Sequence, residues 1–381
     1  MQRGLTLSAR NHEVDFLRGI AILAVVLLHA ALLTKGIEHY TYFIIFVRRL
    51  STGIQLFFVL SGFLISASWE RCLASGEGAK GFFLRRAAKI APLYLIFLHF
   101  HLGLFWLALK YAPEVAPLRN SATVDNVTWL GYLVHLGFLQ GIFPAYLHTQ
   151  LDGSWSIVNE VYFYLLFGLA LHRICDDAVK ASQLYACSLL IAILFILLIG
   201  RHVSALSHYG FLAQLPCFVL GVLAHRLSQT PGFDRIFSPW RRTALAICAL
   251  VMLGLVKGGD NKPLGDFNIY AICFSVVLLC GSTLTELLPR ALTSSVAVAG
   301  RMSYALFFVH LALLKITYVV LAKRQIELDL LSALALNIFI ALPLSWSVAA
   351  YIFDPIDRYF VALGGRWQAI KSTHPPNRSG L

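Results

Sequence analysis

Long apolar stretches separated by short polar segments make up most of this chain. Ten of these stretches are predicted to be membrane-spanning helices, since about 20 apolar residues cross the hydrocarbon core of a bilayer. The predicted spans cover about residues 15–33, 44–68, 90–109, 155–171, 184–200, 210–227, 243–256, 267–288, 303–321 and 330–353. The pattern therefore predicts an all-α fold, a polytopic integral membrane bundle of about ten helices.

One weaker apolar stretch, residues 129–147, is interrupted by Gly, His, Gln and Pro. If it crossed the membrane, the Arg-rich loop 226–242 would face outside, against the preference of Lys and Arg for the cytoplasm. If it does not cross, the Arg-rich loops and the C-terminal tail all face the cytoplasm. We therefore predict that residues 110–154 form an extracytoplasmic, half-buried segment and that both termini are cytoplasmic.

Composition and charge agree with a multi-pass membrane protein. Of 381 residues, 58% are hydrophobic and only 13% are charged, which excludes an ordinary soluble domain. The net charge of +12 comes from cations in loops between the spans, so we expect a lipid bilayer and no nucleic acid as partner. We expect the first span to be retained rather than cleaved. Residues 1–356 are predicted to be one membrane domain and residues 357–381 a cytoplasmic tail.

The first span carries two ionisable residues, Arg18 and His29, within the sequence DFLRGIAILAVVLLHAALL. They are eleven positions apart, so they lie on nearly one helix face with a rise of about 16 Å between them. Ionisable groups inside a span are costly unless they face protein or water, which favours a functional role. The alternative is that Arg18 extends to one interface and His29 lies at the other.

A carboxylate in the fourth predicted span needs a partner as well. Glu160 lies within GSWSIVNEVYFYLLF, where it must be paired or protonated. On the predicted topology its end of the helix faces outside, as does the end that carries His29. We therefore predict that Glu160 orients and charges His29 as a general base. The alternative is a structural hydrogen bond from Glu160 to a helix end.

Two further stretches carry candidate chemistry. In FFLRRAAKIAPLY, Arg86 and Lys89 lie one helical turn apart and suit a phosphate group; the alternative is a cytoplasmic anchor. In GRMSYALFFVHLALL, Ser303 and His310 are seven apart and share a face, for which core packing or pore lining is the default interpretation. The chain has no P-loop, G-x-S-x-G, H-E-x-x-H or Rossmann pattern, so a soluble nucleotide enzyme or a metal enzyme is not expected.

Five segments, in the same order, resemble motifs of the membrane-bound acyltransferase-3 family. They are DFLRGIAIL with the following His29, FFVLSGFLI (57–65), RRAAKIAPLY (85–94), WSIVNEVYFYLL (155–166) and SYALFFVHLALL (303–314). The resemblance implies about ten spans and the transfer of an acyl group, usually acetyl from acetyl-CoA, to hydroxyls of carbohydrates. It implies that Arg18 and His29 are the essential pair and that Glu160 matches the family's W-S-L-x-x-E. The family's R-x-x-R matches Arg86 and position 89, where this chain has Lys.

Taken together, the residues and the resemblance predict an O-acyltransferase of the bacterial inner membrane. Its predicted partners are acyl-CoA, with acetyl-CoA as the expected donor substrate, and a carbohydrate or glycolipid acceptor, and no metal is expected. The predicted catalytic residues are His29, Glu160 and Arg18, the predicted acyl-CoA-binding residues are Arg18, Arg85, Arg86 and Lys89, and the candidate oxyanion donors are Ser61, Ser303 and Tyr304. The alternative is a proton-coupled transporter or flippase, which intramembrane Arg, His and Glu would also suit.

Overall fold

Helices form the regular structure of this chain. A computed structural model describes residues 7–32, 39–111, 128–151, 153–256 and 265–372, and these ranges contain no β-strand. The predicted all-α fold is therefore confirmed. Many turns of the helices are apolar on every side, which is typical of helices that face both lipid and other helices.

Sixteen principal helices follow one another along the described chain. They are α1 (Leu7–Leu32), α2 (Thr41–Arg49), α3 (Gly53–Ala74), α4 (Gly78–Tyr111), α5 (Trp129–Leu136), α6 (Ser154–Leu166), α7 (Ala178–Phe195), α8 (Ser204–Tyr209), α9 (Phe211–Gln229), α10 (Pro239–Leu255), α11 (Asp266–Cys280), α12 (Arg290–Arg301), α13 (Ser303–Lys323), α14 (Leu330–Leu336), α15 (Leu342–Val348) and α16 (Asp354–Ser372). Wider, π-helical turns extend α6 and α7 and join α14, α15 and α16 into one continuous helical segment.

Eight helical segments of the described chain are long and apolar enough to cross a membrane. They are His12–Leu32, Thr41–Ala74, Gly78–Leu107, Ser154–Ile174, Ala178–Gly200, Ser204–Gln229, Ser303–Leu321 and Leu330–Gly365. Each overlaps one of the ten predicted spans. The other two predicted spans correspond to α10 and α11, which pack against each other. With 17 and 15 residues they are about 26 Å and about 23 Å long, shorter than a typical hydrocarbon core. The count of ten and the position of the termini stay predictions.

The segment that follows α4 is half-buried, as expected. Helix α5 has 8 residues, so it is about 12 Å long and cannot cross a bilayer. Its Trp129 is 82% exposed, whereas His135 and the following Gln140 are fully buried. The Tyr94 hydroxyl of α4 donates to the carbonyl of His135 at 3.0 Å, which ties the segment to the bundle. Residues 112–127, the first part of the predicted extracytoplasmic segment, lie outside the described residues.

Helices α1 and α13 lie side by side and run in the same direction. Arg18, in the middle of α1, contacts Ser303 at the start of α13, and His29, near the end of α1, contacts His310 further along α13. Two parallel helices in a membrane must be separated by an odd number of crossings. Five candidate spans lie between α1 and α13 along the described chain, or seven if both α10 and α11 cross, and both numbers are odd. A crossing by the segment with α5 would make the number even.

The N-terminal half of α1 packs backbone to backbone against α12. A Cβ atom added to Gly300 of α12 would lie 1.7 Å from the carbonyl oxygen of Asp15, and one added to Gly19 would lie 1.9 Å from the carbonyl oxygen of Val296. Only glycine permits such an approach, as in close helix pairs of other membrane proteins. Because Arg18 is next to Gly19, this packing fixes the position of its backbone.

The predicted boundary at residue 356 does not coincide with the end of a helix. Helix α16 begins at Asp354 and continues to Ser372, and Asp357 is only 4% exposed. The first turn of the predicted tail is therefore part of the packed bundle. Residues 373–381 lie outside the described residues.

We predict that Gly300→Ala lowers the thermal stability of the protein, because the added methyl group meets the backbone of α1. Overpacking of this kind costs about 1–3 kcal/mol. The matched control is Gly103→Ala on α4, where an added Cβ meets nothing within 4 Å. Thermal unfolding of the purified proteins in one detergent measures both, and equal melting temperatures for the two variants would contradict the close packing.

Candidate functional site

A cavity of about 80 Å³ lies where α1, α3, α4, α6 and α13 converge. Its wall contains three cationic side chains and one carboxylate, together with serine, tyrosine and apolar groups. The lining residues are Arg18, Phe57, Leu60, Ser61, Leu64, Arg86, Lys89, Ile90, Glu160, Tyr164 and Tyr304. Residues predicted from five separate motifs thus meet in one pocket, which we call the cation pocket.

Arg18 projects from α1 into the cation pocket. Its Nη2 atom donates to the hydroxyl of Ser303 at 3.1 Å, which links α1 to the first residue of α13. A guanidinium is always charged and has five N–H donors, so one serine cannot satisfy it alone. The carboxyl group of Glu160 also lies within electrostatic range of Arg18. Arg18 therefore faces protein and not lipid, as the sequence predicted.

Glu160 reaches the same pocket from α6. The Ser61 hydroxyl of α3 donates to its Oε1 atom, and Arg18 and Arg86 are the cations within electrostatic range of the carboxylate. Glu160 is the seventh residue of α6, about 9 Å along the helix from Ser154. This depth brings the carboxylate into the cation pocket, within electrostatic range of both guanidinium groups.

The basic motif of α4 divides into two groups. Arg86 and Lys89 line the cation pocket, and Arg86 donates to the Ser68 hydroxyl at 2.8 Å. Lys89 forms an ion pair with Asp357 of α16. Arg85 turns away from the pocket and pairs with Glu77. Of the four predicted acyl-CoA-binding residues, Arg18, Arg86 and Lys89 are together, and Arg85 is apart from them.

His29 does not line the cation pocket. It lies eleven residues after Arg18 on α1, and its Nδ1 atom is 3.2 Å from Nε2 of His310 on α13. The expected contact between Glu160 and His29 is wrong, because the carboxylate bonds Ser61 at the level of Arg18, about 16 Å of helix rise from His29. Arg18 is permanently charged and therefore needs a carboxyl group nearby, whereas the imidazole of His29 can be neutral and has less need of one.

Of the candidate oxyanion donors, Ser61 and Tyr304 line the cation pocket and Ser303 contacts Arg18 beside it. The hydroxyl protons of Ser61 and Tyr304 are already used in other hydrogen bonds. The Ser61 hydroxyl donates to Glu160, and the Tyr304 hydroxyl donates to the carbonyl of Ile90 at 2.9 Å. The Ser303 hydroxyl accepts a hydrogen bond from Arg18, so its own proton can still be donated to another acceptor. The three predicted candidates therefore lie at the level of Arg18, about 16 Å of helix rise from His29, and the structure does not bring them together with the predicted base.

Sequence reasoning did not identify Asp357 or pair His310 with His29. Asp357 was assigned to the cytoplasmic tail, although its position shortly after the last predicted span was a signal that it could reach back into the bundle. The shared face of Ser303 and His310 was recognised from their spacing. Their partners were not, because those partners depend on how α13 is rotated against α1.

A second buried polar cluster positions the start of α6. The amide of Gln140 donates to the hydroxyls of Tyr94, at 2.8 Å, and Ser154, at 3.3 Å. Next to them, burial lowers the pKa of His135 to about 4, so this ring is neutral at ordinary pH. Its Nδ1 atom is 3.0 Å from the carbonyl of Gly131, which the neutral ring satisfies with one N–H. The cluster holds Ser154, and with it the helix that carries Glu160.

The chain is similar to known membrane acyltransferases. The model of the acyltransferase-3 family, described as an acyltransferase domain, matches residues 11–351. BcsY of Komagataeibacter xylinus, named as a membrane-bound transacylase, is 29% identical over 321 residues, which cover 79% of this chain and 72% of BcsY. Protein 2 in the picA locus of Rhizobium radiobacter is 26% identical over 156 residues, 39% of this chain and 75% of that protein. No solved structure matches the chain significantly.

We predict that Lys89→Met and Asp357→Leu each destabilise the protein and that the double variant recovers most of the loss. Removing one partner of a buried ion pair leaves an uncompensated charge, which costs about 3–5 kcal/mol, whereas an apolar replacement of both is often neutral. Thermal unfolding of the purified proteins measures all three. If the loss of stability in the double variant equals the sum of the two single losses, the ion pair does not stabilise the packing of α16 against α4.

Proposed function

Because the chain belongs to the acyltransferase-3 family, we propose that it transfers an acyl group, with acetyl as the first candidate, from acyl-CoA to a hydroxyl of a glycan or glycoconjugate. We place it in the bacterial inner membrane. The observation that carries this proposal is that α1 bears a cation-lined pocket at Arg18 and a histidine pair at His29. The cation pocket is suited to bind a phosphate group of the donor, and the histidine pair is suited to accept the proton of the acceptor hydroxyl. The proposed reaction requires both.

The cation pocket is the proposed binding site for the phosphate-bearing part of acyl-CoA. Three cations and one carboxylate line it, so its field favours an anion. Arg86 offers a planar fork that matches phosphate oxygens, and Lys89 keeps further N–H donors besides the one that Asp357 uses. A cavity of about 80 Å³ fits a phosphate group or part of a flexible arm, so the nucleotide itself would remain outside.

His29 is the proposed general base. Its side chain is partly exposed, so an acceptor hydroxyl can approach the imidazole. The flexible arm of the donor would extend along α1 from Arg18 and bring the thioester to His29. The helix rise between these two residues is about 16 Å. The imidazole takes the hydroxyl proton while the oxygen attacks the thioester carbonyl. An acyl-histidine intermediate is the other route consistent with these residues.

Glu160 acts at the cation pocket in this proposal. Its carboxylate lies within range of both Arg18 and Arg86, and the Ser61 hydroxyl fixes its orientation. Two guanidinium groups inside a membrane protein repel each other unless a negative charge lies between them. Glu160 is thus proposed to hold the two cations in place for the donor rather than to take part in proton transfer.

Transport or flipping of a ligand is the alternative function. Buried Arg, His and Glu are also found in proton-coupled carriers, but membership of an acyltransferase family favours transfer. The two functions differ in one product: only the acyltransferase releases free CoA thiol when an acceptor is present. Acetyl-CoA and envelope glycans from a strain that lacks this chain are the substrates for that assay.

We predict that His29→Ala lowers acetyl-CoA-dependent thiol release at least about a hundredfold, because general base catalysis contributes this much or more. The protein should remain in the membrane fraction at its normal level. His99→Ala is the control, since His99 is exposed on α4 and contacts Tyr132. An active His29→Ala protein would overturn the proposed mechanism.

We predict that Arg86→Ala raises the KM for acetyl-CoA at least about tenfold, the effect of losing one hydrogen bond to a charged group. Arg85→Ala is a matched control from the adjacent position, because Arg85 pairs with Glu77 outside the cation pocket. Its KM should change little. Steady-state kinetics at varied acetyl-CoA measure both constants, and equal changes in the two variants would mean that the phosphate does not bind in this pocket.

A further inference from the structure

The pair formed by His29 and His310 is a second polar contact between α1 and α13, away from the cation pocket. The two rings are tilted by 39° with centroids 5.2 Å apart, and Nδ1 of His29 lies 3.2 Å from Nε2 of His310. His310 is fully buried, whereas His29 is partly exposed. One ring is therefore accessible to a substrate, and the other is enclosed behind it.

The hydrogen bonds of His310 determine which of its nitrogens carries the proton. Its Nδ1 atom is 2.9 Å from the carbonyl oxygen of Leu306. A carbonyl oxygen only accepts hydrogen bonds, so Nδ1 of His310 must be the N–H donor. In a neutral imidazole the other nitrogen then has a lone pair. Nε2 of His310 is therefore an acceptor that faces His29.

The same reasoning extends to His29. Because Nε2 of His310 accepts, the nitrogen 3.2 Å from it, Nδ1 of His29, must be the donor. The lone pair of a neutral His29 is then on Nε2, on the side of the ring away from His310. The alternative is a doubly protonated His310, but a fully buried imidazolium that faces Phe307 and lies within electrostatic range of His29 and His101 would be strongly disfavoured.

We propose that His310 is a positioning residue for the acyl transfer: it holds His29 in the Nδ1–H tautomer and thereby presents Nε2 of His29 to the acceptor hydroxyl. This inference rests on the proposed function. The acceptor proton moves to Nε2 of His29, the acceptor oxygen bonds the thioester carbonyl carbon, and the C–S bond breaks. The proton then passes from Nε2 to the departing sulfur, which leaves as free thiol.

His310 acts on this sequence in two ways. Before the reaction it prevents the Nε2–H tautomer, in which the imidazole would have no lone pair for the substrate. During the reaction His29 becomes an imidazolium, and Nε2 of His310 accepts a hydrogen bond from its Nδ1–H. Hydrogen bonds to charged groups are stronger than those between neutral groups, so this contact favours the protonated state of His29 that forms along the reaction.

Two substitutions at position 310 separate positioning from packing. His310→Leu fills similar space but cannot accept a hydrogen bond, and we expect it to lower kcat about tenfold to a hundredfold with little change in the KM for acetyl-CoA. His310→Gln places an amide oxygen near the former Nε2 and should recover most of the lost kcat. His99→Leu, the same change at an exposed histidine, should leave kcat unchanged. Acetyl-CoA and the envelope glycans described above are the substrates.

A measurement independent of activity completes the test. Nitrogen-15 solid-state NMR of histidine-labelled wild-type protein in lipid should show His29, assigned by the loss of its signals in His29→Ala, with a protonated Nδ1 and a bare Nε2. His310→Leu should show both tautomers. The inference is overturned by a bare Nδ1 on wild-type His29, by full kcat in His310→Leu, or by equal losses in the folded Leu and Gln variants. Activity in His29→Ala would instead overturn the proposed function, whatever the NMR shows.

Discussion

A permanently charged guanidinium inside an apolar helix must be surrounded by polar groups, and Arg18 imposes this requirement on the whole bundle. Its surroundings come from three other helices: Ser303 from α13, and Glu160 with Ser61 from α6 and α3. These helices must therefore converge at the depth of Arg18. The close backbone contact between α1 and α12 serves the same end, because it fixes the turn of α1 from which Arg18 projects.

The cation pocket follows from this convergence. Once Glu160 is placed opposite Arg18, Arg86 of α4 can lie within range of the same carboxylate. Lys89, one turn further, then lies in the pocket wall and takes its counter-ion from the last helix, through Asp357. Each cation has a partner in the protein, yet their donors outnumber the acceptors that these partners offer. That imbalance is the physical basis for proposing an anionic ligand.

Much of the architecture was predictable from the sequence, because apolar runs of 18 residues or more have few alternatives to membrane helices. That Arg18 faces other helices was also predictable, because a charged side chain inside such a run needs polar surroundings. The partners were not, since the ion pair of Lys89 joins residues 268 positions apart and depends on the packing of α16 against α4. The error over Glu160 is instructive: placing it near His29 relied on which end of the helix faces outside, whereas its depth along α6 decides its partner.

The separation of the two sites also limits which substrates are reasonable. Arg18 and His29 are about 16 Å apart along a rigid helix, and the contacts with Ser303 and His310 hold α1 against α13 at both of these levels. A compact ligand could occupy one site or the other but could not connect them. A donor with its phosphates at one end of a long flexible arm and its reactive thioester at the other could occupy both. The distance built into α1 therefore matches the proposed acyl-CoA donor, whose phosphates would lie at the level of Arg18 and whose thioester would lie at the level of His29.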